Sequence, residues 1–143
     1  MDERTQLTVE HQGILLDINW NPGSGIPVTE LPTTYGIYAE IYWPTRGVRI
    51  GETGRSIRGK IRHDIRWFRS MHNGTAPPSE LRRTIPIAMT AKEHGEEAFE
   101  FYVVSADHRL SDKSLRQDCE RFMFAWLEEG AQYESWNHQR SWH

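Results

Sequence analysis

Hydrophobic and polar residues alternate in short runs over the first half of the chain and then recur at helical spacing. Leu7-Thr8-Val9-Glu10-His11 and Ile14-Leu15-Leu16-Asp17-Ile18, with Gly13 between them, predict an edge hairpin or one bent strand. Asn21-Pro22-Gly23-Ser24-Gly25-Ile26-Pro27 is dense in turn formers and Pro32 follows, so the stretch to Thr33 reads as a loop. Gly36 to Trp43 alternates with period two, Pro44-Thr45-Arg46-Gly47 supplies a turn, and Val48 to Thr53 is a second strand, which predicts an antiparallel hairpin. With that four-residue loop, Trp43 pairs with Val48 and Tyr42 with Arg49. Tyr38 then shares a face with Arg49, unless a β-bulge intervenes.

Beyond Gly54 the period lengthens. Ser56 is placed to cap a helix beginning at Ile57, and Ile57, Ile61, Ile65 and Phe68 fall on one face of it. Arg58, Lys60, Arg62, Arg66 and Arg69 occupy its flanks and outer face, and the helix ends near Met71 to Gly74. Pro77 and Pro78 lie in a loop, followed by a short helix around Ser79 to Arg83 and another around Ile87 to His94. Ala98 to Val104 reads as a third strand suited to the middle of a sheet. A last helix runs from about Asp112 to Glu129, with Ser111 as its cap and Gly130 just past its end. Leu115, Cys119, Phe122, Met123, Trp126 and Leu127 form its apolar stripe, and Glu120 lies on the margin of that stripe.

These elements imply an α/β chain of the α+β type, a small central antiparallel sheet flanked by helices. At 143 residues there is room for one compact core, so residues 1–33 read as an N-terminal extension and 34–143 as the main domain. Composition agrees with a folded soluble protein, with 37% hydrophobic residues, 26% charged and six Trp. No stretch has the length and apolarity of a membrane span or signal peptide. The single Cys119 has no internal disulfide partner, which fits a reducing, cytoplasmic setting.

Charge is unevenly distributed. From Arg46 to Arg69 there are eight basic residues against two acids, Glu52 and Asp64, a local net of +6 within a chain of net −3. One basic face on an otherwise acidic protein suits a polyanion. The ordinary alternative for a charge run is a solvated helix face.

Gly36-Ile37-Tyr38 on one strand, Arg49-Ile50-Gly51 on the next, and then a basic helix resemble the signature of the GIY-YIG nucleases. The second triplet carries arginine where that family has tyrosine. The resemblance runs from about Thr34 to Asn137. It implies a GIY-YIG-like domain that hydrolyses nucleic-acid phosphodiesters with one divalent ion, Mg²⁺ or Mn²⁺. Tyr38 matches the family's water-activating tyrosine, and Glu120 matches the helical glutamate that is its only protein ligand to the metal. Asn137 matches the asparagine after that helix. The family's helical arginine falls on Lys60, with Arg58 and Arg62 as neighbours able to take its place.

Physical chemistry supports those residue types. A hard divalent cation keeps much of its water and needs one or two carboxylates. Tyrosine is a poor base at neutral pH unless positive charge favours the phenolate, and Arg49 on the same face is expected to supply it. His63, one turn into the helix, is a second candidate base or proton relay. Each residue also has an ordinary structural role open to it: Tyr38 as a core aromatic, Glu120 as a helix-surface acid, Arg49 in an ion pair with Glu40 or Glu52, His63 in solvent, Asn137 as a cap in the tail. His72, His94, His108, His138 and His143 show no zinc-site spacing.

The sequence therefore points to a metal-dependent endonuclease with double-stranded DNA as its expected partner. Arg55, Arg58, Arg62, Arg66 and Arg69, helped by Arg82 and Arg83, would contact phosphates. The alternative is a catalytically impaired module of the same fold that binds nucleic acid or protein. Structured RNA is a third substrate class. Recognition would come from the Leu7 to Pro32 segment, from a homodimer or from another partner, and Trp136, Arg140 and Trp142 are candidates for base stacking or a dimer contact.

Overall fold

A computed structural model describes residues 7–76, 86–130 and 132–136. The chain pairs β1 (Thr8–His11) with β2 (Ile14–Asp17) as a two-stranded antiparallel hairpin, and a 3₁₀ turn, Val28–Glu30, follows. Gln12 and Gly13 both take positive φ, 53° and 81°, the two-residue turn whose twist matches a hairpin. β3 (Gly36–Tyr42), β4 (Gly47–Thr53), α1 (Ile57–Asn73), α2 (Pro86–His94), β5 (Glu100–Ser105), α3 (Lys113–Gly130) and β6 (Glu134–Ser135) complete the fold. The expected helix over Ser79–Arg83 lies outside the described residues.

The main sheet has the order β5-β3-β4-β6. Its three longer strands are antiparallel as expected, but the two-residue β6 runs parallel to β4, so the sheet is mixed. β5 is an edge strand, against the expectation of a central one. Its apolar character comes from cover on both faces. Tyr102 and Val104 pack with Trp20 and Ile41, whereas Phe99 and Phe101, just before and within the strand, pack with Phe68 of α1 and Ala91 of α2.

The sheet divides the core in two. Ile37, Ala39, Ile41, Val48 and Ile50 face α3 through Cys119, Met123 and Leu127, and Val9, Ile14, Leu16 and Trp20 of the N-terminal segment join the same cluster. Tyr38 faces α1 and α2 through Ile57, Ile61 and Ile87. The hairpin over residues 8–17 thus shares a core with the main sheet. Among the described residues no helix is long and apolar enough to cross a membrane.

Helix ends follow the local chemistry. Ser56 Oγ accepts from the Gly59 N–H at 3.0 Å, and Gly74 closes α1 with a left-handed φ of 76°. For α3 the cap is Asp112 and not Ser111: its carboxylate accepts from the Leu115 N–H at 3.0 Å, and Ser111 ends the preceding 3₁₀ turn.

Candidate active site

Tyr38, Glu40 and Tyr42 on β3 stand opposite Gly51, Arg49 and Gly47 on β4, so Tyr38 and Arg49 share the face turned toward α1. The register differs by two residues from the expected one, with Arg49 opposite Glu40 and Gly47 already in the strand. A shift of two preserves the face, which is why the same-face relation holds. The loop is Trp43 to Arg46. Arg46 takes a φ of 56° and its N–H donates to the Trp43 carbonyl at 3.0 Å. Gly47 serves not the turn but the Trp136 ring, which covers its Cα where a side chain would stand.

Tyr38 is 1% exposed. Arg49 reaches two acids at once: its Nη1 donates to Glu40 Oε1 at 3.3 Å and to Asp64 Oδ2 at 3.4 Å. Lys60, one turn before Asp64 on α1, brings Nζ to 3.9 Å from Asp64 Oδ1. Glu40 is fully buried and Asp64 nearly so, whereas the Arg49 and Lys60 side chains keep 30% and 38% of their surface in solvent. Glu40 Oε2 has no hydrogen-bond partner.

This packing sets the protonation states. Burial, and after it the Asp64 charge, pushes the Glu40 carboxyl well above its ordinary range. Burial also pushes the Tyr38 phenol well above 10, and Glu40 and Asp64 add to the rise. Arg49 pulls the other way and is outweighed. The expectation that Arg49 favours the phenolate holds in direction, but burial and the two neighbouring acids outweigh it, so the phenol keeps its proton.

Glu120 enters from α3 and is buried, 4% exposed, with Oε1 unpartnered. Its carboxyl is pushed up to about 8, first by burial and then by the nearby Glu52 charge, against the opposing pull of Arg49, Arg121 and Arg116. The sequence placed Glu120 at the margin of the apolar stripe, whereas the structure puts it inside the buried arc. With Leu115 at zero, the buried positions Cys119, Met123, Arg116, Leu127, Glu120 and Phe124 span about 40° to 180°. Arg116 turns the arc that way. Its Nε donates to Glu52 of β4, and its Nη1 to the Leu110 carbonyl at 3.1 Å.

The other candidates divide by location. Arg58 donates to the Leu31 and Thr29 carbonyls at 3.0 and 2.9 Å, bracing the loop before β3. Arg69 forks onto Glu96. Arg55, Arg62, His63 and Arg66 are exposed on or near α1. Asn137, Arg82 and Arg83 lie outside the described residues.

Among the described residues no group of three or more His, Cys, Asp and Glu is arranged to hold a metal ion. Glu120 still has donor chemistry that fits a hard divalent cation: a buried carboxylate oxygen without a partner, and a second carboxylate, Glu52, close enough to raise it. A cation there would take most of its shell from water and substrate.

Asp64 and Arg116 were missed from sequence. Asp64 carries a readable signal. It lies within about 20° of Ile57 around α1, nearer the centre of the buried face than Ile65 at about 80°, and it follows Lys60 by four residues. Arg116 had none, because its partner Glu52 is 64 residues away.

No protein-family model matches the chain, and neither curated proteins nor solved structures yield a match.

Proposed function

We propose that this protein is a divalent-metal-dependent endonuclease of the GIY-YIG kind, hydrolysing phosphodiester bonds in nucleic acid, with DNA as the first substrate. One observation supports the reading above the rest. Tyr38, Arg49 and Glu120 come from three separate elements and lie close enough for Arg49 and Glu120 each to act on the Tyr38 phenol, and for Arg49 to act on Glu120. Together those three residue types can supply what phosphodiester hydrolysis needs: a group to orient water, positive charge for the phosphoryl oxygens and a carboxylate for a metal ion.

Glu120, with Glu52 beside it, would hold Mg²⁺ or Mn²⁺, which when bound polarises a phosphoryl oxygen and offsets the charge that builds on it. Arg49 and Lys60 turn their exposed third toward solvent and offer N–H donors to the non-bridging oxygens. The Tyr38 hydroxyl orients the attacking water and accepts its proton in the fraction of molecules where the phenol is ionised. Water oxygen bonds to phosphorus, the bond to the leaving oxygen breaks, and that oxygen takes a proton from solvent.

A second reading has its own support. Arg49 is tied down by two acids and Tyr38 holds its proton tightly, which suits a domain that binds nucleic acid without cutting it.

Incubation of supercoiled plasmid with the wild type and a Glu120→Ala variant, with and without Mg²⁺ or Mn²⁺, separates the two. Metal-dependent nicking lost in Glu120→Ala supports the nuclease. Retarded plasmid without nicking, in metal and in chelator alike, supports the binding module.

A further inference from the structure

Two carboxyl groups lie behind Arg49, and the hydrolysis proposed above uses neither. Glu40 and Asp64 accept from the same Arg49 nitrogen at 3.3 and 3.4 Å, which brings two buried carboxyl groups to one guanidinium nitrogen. Two buried carboxylates gathered on one nitrogen repel each other when both are ionised, so one of the pair carries a proton. Asp64 is held by two cations, Arg49 and Lys60, from the neighbouring strand and its own helix. Glu40 meets only Arg49, has no surface in solvent, and leaves Oε2 unpartnered. The proton therefore belongs on Glu40.

We propose that these two acids are positioning residues with different duties: Asp64, as a carboxylate, joins Arg49 to Lys60 into one seat for a phosphate group, and Glu40, as a neutral acid, fixes Arg49 from below. The charge balance follows. With Glu40 neutral, Arg49 and Lys60 share a single negative charge and keep a net +1 facing solvent. With both acids ionised the seat would have no net charge and nothing to offer an anion. The phosphate role rests on the phosphodiester reading above; the division of labour between the acids does not.

The isosteric amides test this. Glutamine mimics a neutral glutamic acid, and asparagine cannot replace an ionised aspartate. Glu40→Gln is expected to melt within a few degrees of the wild type and to bind a duplex oligonucleotide in chelator within about twofold of it. Asp64→Asn is expected to melt lower and to lose about tenfold in that binding, the scale of one charge-assisted contact. Infrared spectra of the wild type at neutral pH should contain the C=O stretch of a protonated carboxyl that vanishes in Glu40→Gln. Equal losses in the two variants, tighter binding by a folded Asp64→Asn, or no such infrared band would overturn the proposal. If Asp64→Asn does not fold, the infrared band and the Glu40→Gln melt decide. A wild type that binds no oligonucleotide tells against the phosphodiester reading, while the same two measurements still judge the acids.

Discussion

The Tyr38 ring lies directly over the Cα of Gly51, its partner across the β3–β4 ladder, so that a methyl group on Gly51 would collide with the ring carbon bearing the hydroxyl and with the hydroxyl itself. Gly51 has no left-handed φ, so space alone selects glycine here. Gly51→Ala should therefore push the buried ring off its place and cost about 1 to 3 kcal/mol, as overfilling a packed core does. Chemical denaturation measures the loss. A variant as stable as the wild type would mean that the ring has room to move.

Much of the fold was legible because local signals agreed with the tertiary ones. The Ser56 cap, the Ile57–Phe68 stripe and the Gly74 stop all give α1 its observed limits. Legibility failed where a residue answers to a distant partner. Gly47 looked like a turn residue, but Trp136 requires it to be small. Glu120 looked marginal because the apolar residues alone define the stripe, and the Arg116–Glu52 pair that turns α3 joins residues far apart in sequence. Tyr38 and Arg49 were found by pattern, but the protonation of Tyr38 depends on its burial and on two acids, Glu40 and Asp64, the second hidden in an apolar stripe.

Glu120 should make stability depend on pH. Its carboxyl titrates near 8 in the fold against an ordinary value of 4.5. Between those values the folded protein holds a proton that the unfolded chain has released, so stability falls as pH rises from about 4.5 to about 8 and levels off above. Glu120→Gln removes the penalty. The variant should exceed the wild type by about 2 to 5 kcal/mol at pH 9 and by much less at pH 5, while losing any metal-dependent cutting. Urea unfolding at the two pH values measures this, and a glutamine variant no more stable at pH 9 than the wild type would refute it.

The basic residues of α1 should separate into braces and contacts. Arg58 holds the carbonyls of Thr29 and Leu31, so Arg58→Ala is expected to lower stability by about 1 kcal/mol and to leave the salt dependence of DNA binding unchanged. Arg62 and Arg66 are exposed on the same helix, and each alanine there should reduce the slope of log K against log salt by about 1. Titrations at several salt concentrations give both slopes. A reduced slope for Arg58→Ala would move that residue into the phosphate interface.

The pH profile of cutting should identify the base. If Tyr38 takes the proton from water, its phenol, raised well above 10 by burial and by Glu40 and Asp64, ionises further with every step in pH, and kcat/KM keeps rising through pH 9 without a plateau. Below about 8 the rise should be steeper, because Glu120 must also lose its proton before it can hold a cation, and the Mg²⁺ concentration needed should grow as pH falls. Tyr38→Phe would abolish the alkaline rise. Cutting that instead survives Tyr38→Phe would move the role to His63, exposed on α1, and His63→Ala would then remove the activity.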